Sequence, residues 1–499
     1  MSIAKRLASQ TAIYGLSSIV GRVLNTFLVP VYTARFAAAE YGIVTGLYAY
    51  VAFLNVAFTY GMETTYFRFA NRPGTDRHEL YDRVMTLLLL SSVVLTAVLA
   101  ALARLLMSLL DLPPGHERYA VWIALILGLD AVAAIPFARL RLENKARKFA
   151  AIRLANIAVN VGLNLFFIVL CPEVLAGKYL VGLQPLVASI YNPTMGIGYI
   201  FLSNLAASAC TLLLLGRELL DFRFRLNLEP LRPMLQYAYP ILLMGLAGTV
   251  NEMLDRTILP KWLPDGFYPG QSKQAALGIY GACYKISVLM NLVIQAFKYA
   301  AEPFFFAQST EKNSPRTFAL VLKWFTLCCA MLFVGVSVNL DIVASVFLQR
   351  PEYLQGLAVV PVLLLAYLFL GVYWNLSVWF KLTDKTYYGT YLGFAGAVLT
   401  VVLNFLLIPL LGYMGSAIAT LACYFMMAAL CWWLGERHYP VPYPVGRLLT
   451  WLAVAVGVVA VSWWAPVAAG WARYGFHALL TLGFIGLVAA VEGRRLRTI

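Results

Sequence analysis

From about residue 11 to residue 491 the chain is a near-continuous succession of apolar segments, about fourteen of them, each long enough to cross a bilayer. A spanning helix needs roughly 20 mostly apolar residues. A chain that is 61% hydrophobic, with mean hydropathy +0.77, supplies them almost without pause. Lipid is therefore the solvent, and the expected fold is an all-α membrane protein. The spans are read at about 11–34, 42–65, 84–107, 119–138, 150–170, 195–216, 234–260, 276–300, 318–340, 354–379, 387–408, 413–434, 447–465 and 475–491. The longest stretches between them run from Cys171 to Thr194 and from Lys261 to Ala275, too short to fold as a soluble domain with a core of its own. Lys5 and Arg6 lead into a full-length span with no cleavage pattern, which argues against a cleavable signal peptide.

Basic residues give the orientation. With the N-terminus in the cytoplasm, about 25 of the 38 Lys and Arg fall on that side, about seven outside and about six within spans. Arg139, Arg141, Lys145, Arg147, Lys148 and Arg153 sit in one such loop. An even number of spans then puts both termini inside, as expected for a multi-pass protein of a bacterial cytoplasmic (inner) membrane. The net charge of +15 is a topology signal plus attraction to anionic lipid headgroups, and nucleic acid is not an expected partner. The seven Cys read as packing residues of apolar helices, and the four His show no ligand spacing, so no metal centre is expected.

The chain also resembles itself. A shift of 240 places Lys145 on Lys385 and Leu163-Asn164-Leu165 on Leu403-Asn404-Phe405. A shift of 236 places Tyr48 on Tyr284 and Asn55 on Asn291, and one of 230 places Pro30 on Pro260. The order of these matches predicts a duplication of six spans. Because six is even, the halves are parallel repeats related by an axis along the membrane normal. The expected divisions are 1–218 (helices 1–6), 219–437 (helices 7–12) and 438–499 (two further C-terminal helices).

Polar side chains recur at helical spacing in four spans. Ser18, Arg22 and Asn25 align in the first; Thr45, Tyr48, Asn55, Thr59 and Glu63 in the second; Gly245, Gly248, Glu252 and Asp255 in the seventh, with Arg256 adjacent. In the eighth, Tyr280, Tyr284, Ser287, Asn291, Gln295, Lys298 and Glu302 align, with Lys285 beside them. A helix side polar over several turns suits a hydrated cavity better than lipid. Arg22, Asn25, Tyr48, Asn55, Arg256, Tyr284, Lys285 and Asn291 are therefore candidate substrate contacts. For Asp130, Glu252, Asp255, Glu63, Lys298 and Glu302 two readings stand: ion coupling, or charge pairing and snorkelling at helix ends, with Arg68 as the partner for Glu63.

The segment from Tyr14 to Phe36 with Gly21-Arg22-Val23-Leu24, then Glu40-Tyr41-Gly42, and Tyr60-Gly61-Met62-Glu63-Thr64-Thr65-Tyr66-Phe67-Arg68-Phe69, resembles the polysaccharide-biosynthesis (Wzx-type) flippases. These belong to the multidrug/oligosaccharidyl-lipid/polysaccharide exporter superfamily. The resemblance implies a flippase for a polyprenyl-pyrophosphate-linked oligosaccharide of O-antigen, capsule or exopolysaccharide type. It would work by alternating access with no cofactor, with coupling to H⁺ or Na⁺ open, beside the pathway's glycosyltransferases and glycan polymerase. Arg22 is similar to a cavity arginine of the related lipid II flippases, and a guanidinium suits a pyrophosphate through paired charge-assisted hydrogen bonds. The acids Asp130, Glu252 and Asp255 depart from a uniformly basic cavity. They leave a cation-coupled multidrug antiporter as the nearest rival. A membrane glycan polymerase is more distant, because the outer loops carry no paired carboxylates for general acid–base work, and no enzymatic activity is expected.

Overall fold

The computed structural model describes residues 19–112, 115–225, 227, 231–308, 313–467 and 470–496. The start of the first span, with Ser18, lies outside these residues, as does the side chain of Glu302. Among the described residues fourteen principal helical segments follow one another, with shorter helices between them. Helix α1 comprises residues 19–26 and Val29–Arg35; α2 is Ala38–Thr59; α3 is Arg77–Ala101; α4 is Glu117–Leu142; α5 is Ala146–Leu165; α6 is Gly198–Leu214; α7 is Arg232–Trp262. Then come α8, Lys273–Gln308; α9, Ser314–Val338; α10, Val359–Leu376; α11, Tyr387–Leu411; α12, Tyr413–His438; α13, Val445–Trp464; and α14, Trp471–Leu496.

Eleven of these, all but α1, α6 and α7, are long and apolar enough to cross a membrane, where the sequence suggested about fourteen. The three remaining helices differ for separate reasons. The start of α1 lies outside the described residues, α6 has 17 residues, and α7 has 31 but carries Glu252, Asp255 and Arg256 in its second half. The fold is that of an all-α, multi-pass membrane protein.

The chain forms two compact units, residues 1–257 and 258–499, so α7 runs from the first into the second. In the first unit Met62, Tyr66, Tyr81, Met85, Leu88, Ile135 and Met234 form a core between the end of α2 and helices α3, α4 and α7. Helix α2 breaks at Tyr60 and Gly61, both left-handed, before helix resumes at Met62. Glycine is required there: a Cβ on Gly61 would lie 2.7 Å from the Ile241 side chain of α7. Many of the basic residues around the α4–α5 connection are paired at this end. Arg139 bonds Asp221 at 2.5 Å and Glu143 at 2.8 Å, Lys148 bonds the buried Glu218 at 2.6 Å, and Arg141 pairs with Glu63. The Arg139 guanidinium holds the Asp221 carboxyl below the usual carboxylate range. Glu63 thus takes Arg141 rather than the expected Arg68, whose guanidinium lies 4.2 Å over the Tyr237 ring instead.

The internal repeat is visible in local geometry. The turn between α4 and α5 closes with Lys145 N–H donating to Leu140 at 2.8 Å across left-handed Asn144 (φ 57°). The turn between α10 and α11 closes with Lys385 N–H donating to Phe380 at 2.8 Å across left-handed Asp384 (φ 56°). Farther along, Asn164 and Asn404 are both fully buried and donate to the carbonyl four residues back, Asn160 and Thr400, at 2.8 Å. All five correspondences share the 240-residue shift.

In the second unit α8 packs on α10, α10 and α11 on α12, and α9 on α10, α13 and α14. The C-terminal pair is fastened by one carboxylate. Glu492 of α14 is fully buried, with Lys323 of α9 at 2.6 Å, Arg447 of α13 at 2.6 Å and the Trp451 indole N–H at 2.8 Å. Removing one member of a buried charge cluster leaves the others uncompensated, at a cost of about 3–5 kcal/mol. Glu492→Gln should therefore lower the detergent-solubilised unfolding temperature markedly, whereas Glu352→Gln, whose carboxylate is exposed beside Arg350, should not. Equal unfolding temperatures for the two variants would show that Glu492 is not the fastening.

Candidate functional site

Helix α5 organises a polar face in the first unit. Arg153, Asn156, Asn160 and Asn164 follow at intervals of three, four and four residues, so they rise along one side of the helix. Each reaches a different neighbour. Arg153 lies 4.1 Å over the Phe137 ring of α4, Asn156 donates to Thr211 of α6 at 2.9 Å, and Asn160 donates to Asn25 of α1 at 3.4 Å. Asn164 donates to the Asn160 side-chain oxygen at 3.1 Å and accepts the Tyr32 hydroxyl of α1 at 2.9 Å. Amides suit this work because each offers donors and an acceptor, so a row of them satisfies itself without water.

Tyr48 joins the same face from α2. Its hydroxyl accepts from Asn204 of α6 at 3.0 Å, and its ring stacks on Phe201 at 5.5 Å. Asp130 of α4 interacts electrostatically with both Tyr48 and Arg153. Arg22, Asn25, Asp130 and Arg153 are exposed, Asp130 and Arg153 in helices long and apolar enough to cross a membrane. Arg22 makes no ion pair with any described residue, and only its carbonyl is engaged, by Thr26 at 2.8 Å. Charged groups left uncovered at span depth are stable only against water or a polar ligand. The face is thus a candidate for a wetted surface. Arg22 and Arg153 supply two positive charges to it and Asp130 one negative.

The other candidates are distributed differently. Asn55 and Glu252 are exposed on α2 and α7. Asp255 and Arg256 are buried, with the Arg256 amide donating to the Asp255 carboxylate at 2.8 Å and Arg256 Nη1 lying 2.8 Å from Met253 Sδ. In the second unit the α8 stripe turns inward rather than onto a cavity over its first half. Tyr280, Tyr284 and Ser287 are buried; the Tyr284 hydroxyl meets that of Tyr367 on α10, and Ser287 donates to the Tyr284 carbonyl at 2.7 Å. Hydroxyls that bond to each other and to backbone satisfy a packed interface as well as a wet one, so spacing could not separate the two. Lys285 is exposed, Asn291 is half-buried and accepts from Gln295 at 3.3 Å, and Lys298 sits 3.7 Å over the Trp374 ring.

The row on α5 escaped the sequence reading because Arg153 counted as a loop residue and the asparagines lie outside the first two spans of either half. Their three- and four-residue spacing is the signal that would have found them.

The fold defines an all-α, multi-pass membrane protein. Solved structures with this fold include an inward-facing multidrug resistance MATE family transporter of the MOP superfamily, with TM-score 0.63 and 13% identity, covering 86% of this chain and 96% of that one. The lipid II flippase MurJ in an inward closed conformation gives TM-score 0.64 and 13% identity, covering 96% and 98%. Such identities speak for the fold alone. No curated protein sequence matches the chain. The sequence model of the polysaccharide biosynthesis protein family matches residues 34–350, and the chain belongs to that family.

Cysteine accessibility tests the wetted face. In a background without the seven native Cys, Asn25→Cys and Asp130→Cys should react with a charged methanethiosulfonate in membranes. Tyr284→Cys should stay unlabelled. Protection of both first-unit positions would mean that the face is covered by lipid or protein.

Proposed function

We propose that the protein is a flippase that carries a polyprenyl-pyrophosphate-linked oligosaccharide across the bacterial cytoplasmic membrane by alternating access. The observation that carries the reading is Arg22, an exposed guanidinium in the first helix, one turn from an amide row. A pyrophosphate needs a planar cationic donor fork, and a glycan needs amides and tyrosines that both donate and accept. Arg22, with Arg153 about 10 Å along the bundle from Asn160 (two helical turns), supplies the first. Asn25, Asn160, Tyr48 and Asn204 supply the second. Membership in the polysaccharide biosynthesis family supports a lipid-linked glycan as cargo, and the lipid II flippase MurJ has the same architecture. Glycosyltransferases and a glycan polymerase are the expected pathway partners, both termini lie in the cytoplasm, and the work is transport rather than bond-making.

A cation-coupled multidrug antiporter is the second reading, favoured by the accessible carboxylate of Asp130. Arg153 beside it offsets that charge, and Arg22 adds an uncompensated positive one, so an organic cation is repelled where an anion is held. Asp130 fits better as the coupling site for H⁺ or Na⁺, or as the partner that keeps Arg153 oriented.

Arg22→Ala should abolish complementation of glycan export in a deletion strain at unchanged abundance in the membrane, and Arg22→Lys should restore only part of it because an ammonium lacks the fork. Full export by Arg22→Ala would end the assignment. Hypersensitivity of the deletion strain to cationic drugs with intact glycan export would install the antiporter reading.

A further inference from the structure

The connection between α5 and α6 reads in sequence as a loop outside the spans, and the structure gives it another setting. The span that starts with α5 runs on to Leu175, and a short apolar helix, Val181–Ile190, packs beside its last turn. Val187 of that helix is buried against Cys171 and Val174, and the Gln184 side chain donates to the Val174 carbonyl at 3.1 Å. Tyr191, just beyond its end, stacks on Tyr199 of α6 at 5.1 Å, and Tyr199 stacks on Phe167 of the span at 4.5 Å. The helix is thus fixed at the depth of the span's end rather than standing clear of it.

The surface it turns outward is not that of a solvated loop. From Tyr179 to Pro193 there is no charged residue. Leu180, Val181, Leu183, Leu186 and Ile190 are between 45% and 59% exposed, and apolar surface left in water costs about 25 cal/mol per Å². The polar side chains of the helix are spent on backbone: Gln184 on Val174, and Ser189, whose hydroxyl donates to the Leu186 carbonyl at 2.7 Å. Charge gathers instead at the end of the span, where Glu173 is paired with Arg35 of α1 and with Lys178 at 2.7 Å, followed by exposed Tyr179. Ion pairs next to an exposed tyrosine suit the headgroup level of a membrane.

We propose that Val181–Ile190 is an interfacial helix seated in the membrane leaflet at this end of the unit, with phospholipid acyl chains covering Leu183, Leu186 and Ile190 and the Arg35–Glu173–Lys178 cluster at the headgroups. Helices of this kind lie in the plane of the interface with an apolar face about 5–10 Å into the acyl boundary. Lipid is the occupant for two reasons. Leu165 and Leu170, on the closing turns of the same span, are exposed too, so lipid-facing surface already reaches this depth. A protein partner, by contrast, meets a polar, solvent-accessible rim around an apolar centre, and a segment without a charged residue offers none. The assignment is independent of which cargo the protein carries.

Spin labels on the full chain in liposomes of phosphatidylethanolamine and phosphatidylglycerol test the seating. In a background without the seven native Cys, labels at Leu186→Cys and Ile190→Cys should collide severalfold more with oxygen, which concentrates in hydrocarbon, than with a water-soluble nickel chelate. A label at Asp265→Cys, whose side chain is almost fully exposed in the loop between α7 and α8, should show the reverse. Labels on the helix that favour the nickel chelate, or that collide with neither reagent, would overturn the proposal, the first by placing the helix in water and the second by burying it under protein. Cys171 is itself part of the packing under the helix, so a second measurement keeps all native Cys. With Leu186 replaced by photoreactive p-benzoylphenylalanine and cell membranes illuminated, phospholipid adducts should dominate the mass spectrum of the purified protein. Crosslinks to a second copy, to another protein or to a polyprenyl lipid in their place would overturn the assignment.

Discussion

Hydrocarbon offers no hydrogen bonds, so every polar side chain placed in a span must find a partner in the protein or a wetted surface. The whole molecule sorts by that constraint. Glu492 finds Lys323, Arg447 and Trp451; Asn404 finds the Thr400 carbonyl; Tyr284 finds Tyr367. These groups are buried; Glu492 and Tyr284 join neighbouring helices, while the Asn404 bond stays within α11 and leaves its Oδ1 without a partner among the described residues. Arg22, Asn25, Asp130 and Arg153 remain exposed, and charge left open at span depth calls for water or a polar ligand. The division between scaffold and site is thus a division between polar groups the fold closes and polar groups it leaves open.

The open groups in the first unit are not a random remainder. Asparagines on α5 tie α1 and α6 to one face, and Tyr48 of α2 is held there by Asn204. Such a row keeps a surface polar and rigid together. Arginine adds charge without the flexibility of lysine. The nearby carboxylate of Asp130 tempers that charge.

At the α4–α5 connection the basic residues serve two ends. As a sequence signal they give the expected orientation under the positive-inside pattern. Structurally, Arg139, Arg141 and Lys148 tie the connection to Asp221, Glu63 and Glu218, elements at the same end of the unit. A topology signal is read from residue counts and needs no geometry, so the same side chains remain available for ion pairs once the helices have packed.

Hydropathy by itself determined the helical architecture, because a bilayer admits few ways of satisfying backbone over some 20 apolar residues. Self-comparison found the repeat, and Lys145/Lys385 and Asn164/Asn404 proved to be a shared turn and a shared buried amide. Spacing also marked which helix sides are polar. Whether a polar side faces water or another helix was decided only in three dimensions: Tyr280, Tyr284 and Ser287 look like Tyr48 and Asn55 in sequence, yet α10 covers them. Tertiary packing likewise gave Glu63 to Arg141 and drew Arg153 out of a loop count into the polar face. Periodicity fixes the direction a side chain takes from its own helix, while its partner is set by which neighbouring helix happens to stand there.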